Sequence, residues 1–268
     1  MSELSEREMS YIWGLIRAFN FQAAESRLRA MQEAVPTDPR PLDALAQVYR
    51  LTQRHTQAID AAREVARMRP TASRSYGLLA YVLNGAARHA EAADAAREAI
   101  RLSPVSSLAY WQAAIAADAL GHLEEAVSWA RQGLAIDPSN VSLRQRLGMA
   151  LAGLNQASEA EHVVAEYLRQ EPADPFNHTA AGWTYLRLDW LDLAAERFLA
   201  ALEMQPNYPW QHEGLGIVRY RQGRFDEARH LLTEAARLDP AMVEGKRILD
   251  QMDSERAAIA ITEPVDPL

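Results

Sequence analysis

The chain has 268 residues, a net charge of −8 and no cysteine, so disulfides and thiolate metal sites are excluded. About −7 of that charge lies in residues 141–268, which argues against a phosphate-backbone track and hence against nucleic acid as partner. The first residues, "MSELSEREMSYIWGLIRAF", are acidic where a secretory leader needs positive charge, and no apolar run is long enough to cross a bilayer. The expectation is a soluble cytoplasmic protein without direct membrane insertion, in which the sequons at Asn140 and Asn177 are chance matches.

The chain repeats itself every 34 residues without a gap. Proline stands at 36, 70, 104, 138, 172, 206 and 240, and alanine at 24, 58, 92, 126, 160, 194 and 228. Numbering the unit so that this proline is position 32 gives units 5–38, 39–72, 73–106, 107–140, 141–174, 175–208 and 209–240. In each, the spacing predicts helix A over positions 2–14 and helix B over positions 18–30. A glycine or polar turn separates them, as in "LGHLEEA" and "QGRFDEA", and the proline stops helix B. Position 8 is small in all units but the first (Ala46, Ala80, Ala114, Gly148, Gly182, Gly216) and position 20 is always Ala, which lets helix backbones approach closely. Helices of this length are marginal alone in water, so each must be held by its neighbours. Residues 241–260, "AMVEGKRILDQMDSERAAIA", repeat the helix A pattern without a helix B and are predicted to cover the last apolar surface; 261–268 are expected to form a flexible tail.

This pattern resembles the tetratricopeptide repeat family. The last unit carries it most fully, with Leu215, Gly216, Gly223, Phe225, Ala228, Leu232, Ala235 and Pro240; unit 4 has Tyr110, Gly121, Ala126 and Pro138, and unit 6 has Gly182, Tyr185, Ala194, Phe198, Ala201 and Pro206. Unit 1 departs most, with Ile12 at the small position and Met31 at position 27. The resemblance implies an all-α fold, a right-handed α-solenoid of stacked helix-turn-helix units.

Local chemistry is sparse. His178 and His212 share position 4, and His55 and His89 share position 17, but these are packing slots rather than ligand pairs. Acids such as Glu124 and Glu125 open a helix B, where the helix dipole favours them. No phosphate loop, dinucleotide fingerprint or serine-nucleophile motif occurs. No catalytic residue, metal or cofactor is expected, and the chain is read as a non-enzyme.

The family lines its inner surface with helix A positions 2, 5, 9, 12 and 13. Here position 9 reads Trp13, Gln47, Tyr81, Ile115, Met149, Trp183 and Ile217. Trp111 at position 5, and Phe176 and Trp210 at position 2, extend an aromatic and apolar face of the kind that marks a contact surface. Arg40 and Arg74 share position 2 in adjacent units, with Arg50 and Asn84 at position 12; such arginines suit a carboxylate. The lysine and asparagine set of the family's chaperone-tail binders and the inward asparagine ladder of its sugar-transferase arrays are both missing.

The expected function is a protein-interaction scaffold or adaptor holding a partner peptide or helix on this face. The alternatives are self-association into a homo-oligomer, with the acidic tail entering a neighbour's arginine patch, and a regulatory subunit of a separately encoded enzyme or membrane complex.

Overall fold

The computed structural model describes residues 3–240 and 242–262. Among them all regular structure is helical. Helix pairs follow one another: α1 (Glu3–Arg17) and α2 (Phe21–Ala34), α3 (Arg40–Leu51) and α4 (His55–Met68), α5 (Ser73–Gly85) and α6 (His89–Leu102), α7 (Ser107–Ala119) and α8 (Leu123–Ile136). Then come α9 (Val141–Gly153) and α10 (Ala157–Gln170), α11 (Pro175–Arg187) and α12 (Leu191–Met204), α13 (Pro209–Arg221) and α14 (Phe225–Leu238), and a last helix, α15 (Glu244–Thr262). The spacing places the bounds of α2 to α14 to within a residue or two, whereas α1 starts three residues before its expected position, at Glu3, and α15 starts three residues after, at Glu244. Of the expected tail, residues 263–268 lie outside the described residues. No described helix is long and apolar enough to cross a membrane.

The turn between helices A and B is one device used seven times. Position 15 has positive φ in every unit: Phe19, Gln53, Ala87, Gly121, Asn155, Asp189 and Gly223. The following amide reaches back to the position 11 carbonyl, as in Arg54 N to Tyr49 O at 2.8 Å, and the position 15 amide to the position 12 carbonyl, as in Gln53 N to Arg50 O at 3.1 Å. This double closure satisfies carbonyls that the helix end leaves open, and it requires a left-handed residue. Glycine was expected there, or a polar residue. Phe19 and Ala87 are neither, so packing of the helix pair outweighs the local cost of a side chain in that conformation.

The helices form two compact units, residues 1–146 and 147–268, with the boundary inside α9. The core of the N-terminal unit gathers Ile12, Leu28, Val48, Val65, Val82 and Leu83 around alanines at Ala24, Ala46, Ala58, Ala80 and Ala92, all buried. In the C-terminal unit Tyr167, Phe198 and Leu232 are fully buried, with Ala160, Ala194 and Ala228 beneath them. The small residues at positions 8 and 20 are thus the places where backbones meet. Ala160→Leu is expected to overpack this contact and cost about 1–3 kcal/mol in urea unfolding, whereas Arg131→Ala on the exposed side of α8 stays within about 0.5 kcal/mol.

The last helix is held by an acid. Glu213 on α13 is buried and its Oε1 accepts a hydrogen bond from the Gly245 amide at 2.8 Å, in the first turn of α15. Burial raises the Glu213 carboxyl above its ordinary range, the Gly245 amide partly opposing, with Glu244 and Asp239 adding repulsion. A carboxyl with a raised folded-state pKa gives stability that is complete at acid pH and lost as pH rises through that pKa. Glu213→Gln keeps the acceptor for Gly245 without the charge. Its melting temperature is expected to exceed that of the wild type at neutral pH, and the gap to close on acidification. A pH-independent gap would show that Glu213 does not titrate in this way.

Candidate functional site

The N-terminal unit carries its candidate site on α3, α5 and α7. Asp43 and Gln47 on α3, Arg74, Gly77 and Tyr81 on α5, and Leu108 and Trp111 on α7 surround a cleft of 320 Å³. Gly77 is its floor. A Cβ built there meets nothing within 4 Å outside its own helix, so the missing side chain is what keeps the cleft open. Gly77 stands at position 5, where the other units carry Met9, Asp43, Trp111, Gln145, Thr179 or Glu213. A glycine replacing bulk at a groove position was the sequence signal for this cleft, and a reading focused on aromatic residues passes over it.

The polar wall is built from fixed pairs. Gln47 Nε2 donates to Asp43 Oδ1 at 3.0 Å, and Arg74 Nε stands 3.6 Å from Asp43 Oδ2. The Arg74 side chain is 80% exposed, and its contact to Asp43 is a long one. The Arg50 guanidinium lies over the Tyr81 ring, 4.4 Å from its centre, which orients both groups. Arg40 is gripped by Asp38, with Nε to Oδ2 at 2.9 Å and Nη2 to Oδ2 at 2.6 Å. That pair holds the Asp38 carboxyl below its usual range. Asn84 Nδ2 donates to Gln112 Oε1 at 2.9 Å and to the Gln112 carbonyl at 3.1 Å, while its Oδ1 faces His89 Nδ1 at 3.3 Å. Of the sequence-derived candidates here, Gln47, Arg74, Tyr81 and Trp111 share the cleft, Arg50 borders it through Tyr81, and Arg40 and Asn84 already have internal partners. Ile115, one turn beyond Trp111 on α7, is half-buried.

A second and larger cleft of 690 Å³ adjoins the first through Asp43 and Arg74. Its walls are Met9 and Trp13 on α1, with Arg17, Arg40, Arg69 and Arg74 set against Glu6 and Asp43. Arginine outnumbers acid around this continuous surface.

The remaining candidates lie in the C-terminal unit. Phe176 and Trp210, at position 2 of α11 and α13, are 48% and 49% exposed. Phe176 meets Tyr208 edge-on at 5.2 Å, and Trp210 meets Trp183 at 6.5 Å. Trp183 in turn contacts the buried Phe198 at 5.4 Å, so one edge-to-face chain runs from surface to core. Ile217 packs partly against Leu232, Ile248 and Met252. Met149 is half-buried on α9, and its carbonyl accepts from Arg187 Nη1 at 3.2 Å. Every position 9 residue from Trp13 to Ile217 is half-buried, dividing its surface between packing and exposure.

Two histidines make one structural contact, whereas His55, expected in a packing slot, is exposed. His178 Nε2 lies 2.9 Å from the Pro172 carbonyl and His212 Nε2 2.7 Å from the Pro206 carbonyl, one contact in two consecutive units. A carbonyl only accepts, so Nε2 carries the proton in each and ties helix A to the preceding proline turn. Among the described residues no group of His, Asp and Glu is arranged to hold a metal ion.

Comparison with known proteins accords with this architecture. Tetratricopeptide repeat family models match residues 78–141 and residues 210–241. No curated protein matches the chain. Among solved structures, a tetratricopeptide repeat protein from Parabacteroides merdae is similar over 91% of this chain and 97% of its own, at 12% identity and a TM-score of 0.75. The structure of the APC/C hetero-tetramer Cut9-Hcn1 is similar over 90% of this chain but 47% of that one, at 16% identity and a TM-score of 0.67. The pilF protein of Pseudomonas aeruginosa is similar over 78% of this chain and 95% of its own, at 16% identity and a TM-score of 0.60. The gapless repeat, the paired helices with their small-residue contacts and these matches agree that the chain folds as an α-solenoid of tetratricopeptide repeats.

Proposed function

We propose that this protein is a non-enzymatic, cytoplasmic interaction scaffold whose N-terminal unit holds a segment of a partner protein on the α3, α5 and α7 face. The tetratricopeptide repeat is a protein-interaction fold, which supports the general reading. The cleft floored by Gly77 carries the specific one. A peptide side chain fits a space of that size, and the Trp111, Tyr81 and Leu108 walls offer apolar contact area of the sort that dominates binding energy.

Gly77→Leu tests this reading. Its Cβ meets nothing within 4 Å, and removing glycine from a helix interior favours the fold by about 0.5–1 kcal/mol. Immobilised wild type and Gly77→Leu protein would be exposed to the same native lysate, and the retained proteins compared by mass spectrometry. The expected result is a partner retained by wild type and lost from Gly77→Leu at unchanged or raised melting temperature. Identical retained sets would remove the cleft as the binding site.

A further inference from the structure

Helix α12 carries more apolar residues than its packing consumes. Ten of its fourteen residues are apolar, against seven or eight in every other helix B. Yet of these only Ala194, Ala195, Phe198 and Ala201 are buried. Leu193 and Met204 are 37% and 45% exposed, and Ala200 between them is half-buried. The three fall on one line along the helix, seven and four residues apart.

The other units show what these positions hold when they are only solvated. Position 19 is Glu91, Glu125, Glu159 and Glu227 in units 3, 4, 5 and 7, but Leu193 in unit 6. Position 26 is Glu64, Glu98, Glu166 and Glu234 in units 2, 3, 5 and 7, but Ala200 in unit 6. Position 25 is Arg29, Arg63, Arg97 and Arg131 in the first four units, but Leu199 in unit 6. Positions 25 and 19 face each other across consecutive helices B, as Arg63 Nη2 and Glu91 Oε2 do at 2.9 Å between α4 and α6. At the two edges of α12 that slot holds Ala165 with Leu193, and Leu199 with Glu227, so neither edge has an Arg–Glu pair. One helix B has thus exchanged a charged solvent side for an apolar one, and a clustered apolar patch marks a contact surface.

The charges that α12 keeps outside are of one sign. Asp192, Glu196 and Glu203 are exposed, and its single base, Arg197, is half-buried and paired with Glu196. Two copies docked through this face would set these acids against each other, so the complementary surface is basic.

We propose that this side of α12 is a second docking surface, which takes an amphipathic helix of a partner protein with Lys or Arg flanking its apolar stripe. The stripe covers Leu193, Ala200 and Met204, and the bases meet Asp192, Glu196 and Glu203. The surface belongs to a helix B of the C-terminal unit and shares no residue with the cleft at Gly77.

Selection from an mRNA-displayed library of helical peptides of about five turns tests it, with wild type, Gly77→Leu and Leu193→Glu/Ala200→Glu as baits. The double variant puts back the residue that other units carry at each position, so it is expected to fold like wild type. Wild type and Gly77→Leu should both enrich helices with an apolar stripe between basic residues, and the double variant should not. A selected peptide, followed by fluorescence anisotropy, should bind Leu193→Glu alone about tenfold more weakly, a loss of about 1.4 kcal/mol. Asp192→Asn/Glu203→Gln should weaken it about fivefold, a difference that closes in high salt. Enrichment unaffected by the double variant, or equal binding of a scrambled peptide of the same composition, would remove α12 as the surface. Enrichment of uncharged or acidic helices, lost on the double variant, would overturn the basic partner. No enrichment with wild type would overturn both.

Discussion

Phe198→Ala is expected to destabilise the C-terminal unit by about 3–5 kcal/mol, the range for removing a fully buried aromatic ring. Phe198 on α12 has no exposed surface. Its ring occupies the space left by two glycines on neighbouring helices. A Cβ at Gly214 on α13 would lie 2.3 Å from Phe198 Cζ, and one at Gly182 on α11 would lie 2.7 Å from Cε1. Trp183 closes another side edge-on. The glycine approaches that make room for the ring are backbone features, which cannot collapse around a cavity as side chains can. The loss should therefore sit at the upper part of the range. Urea unfolding with separate probes of the two units measures it. A double-mutant cycle with Gly214→Ala gives the mechanism: the methyl group is costly beside Phe198 and nearly harmless in Phe198→Leu. A loss below about 1 kcal/mol for Phe198→Ala, or additive costs in the cycle, would show that the ring is not wedged between these helices.

The largest effect on binding is expected at Trp111. A tryptophan at the centre of a contact surface commonly contributes 2 kcal/mol or more when truncated, so Trp111→Ala should weaken binding of the captured partner by about thirtyfold. Trp111 is a wall of the Gly77 cleft. Truncation removes that apolar contact, and Trp111→Phe restores most of it. Titrations of the three proteins with the captured partner, with circular dichroism as the check on folding, decide the case. Affinity within threefold of wild type for folded Trp111→Ala would move the contact away from α7.

The ion-paired groups add a smaller dependence in the opposite direction to Glu213. Glu25 on α2 accepts from Arg54 at 2.5 Å and from Arg29 at 3.0 Å, and these contacts, led by Arg54, hold its carboxyl below the usual range. Stability from a depressed carboxylate is present above its unfolded pKa and falls away as pH drops through the folded value. The N-terminal unit is therefore weakened by acid at Glu25, while the α15 contact is weakened by rising pH at Glu213.

The repeat itself was legible in the sequence because each unit states the same physical requirement. Alanine at position 20 and small residues at position 8 are needed wherever two backbones touch, and all of them are buried. The proline at position 32 marks the end of each helix B for a local reason, the missing amide and fixed φ. Position along the chain thus determined helix count, pairing and bounds. The left-handed turn at position 15 was only half legible. Gly121 and Gly223 announce it, but Phe19 and Ala87 adopt it under the tertiary packing of the pair.

The candidate site divides similarly. Helix period alone assigns Gln47, Tyr81, Trp111 and Trp183 to one face of their helices. It does not say how each cation is paired, because ion pairing depends on side chains brought together by the fold. Arg40 and Arg74 occupy the same place in adjacent units, yet Arg40 is held by Asp38 and Arg74 is exposed. Asn84 looks available in sequence and is consumed by Gln112 one unit later. Glu213 reads as one more surface acid, and only the docking of α15 buries it. Sequence by itself determined the repeated backbone, since that rests on local steric rules applied at a fixed period. Tertiary structure decided where space remains and which charges are paired, since those are differences between what neighbouring helices supply and what each position needs.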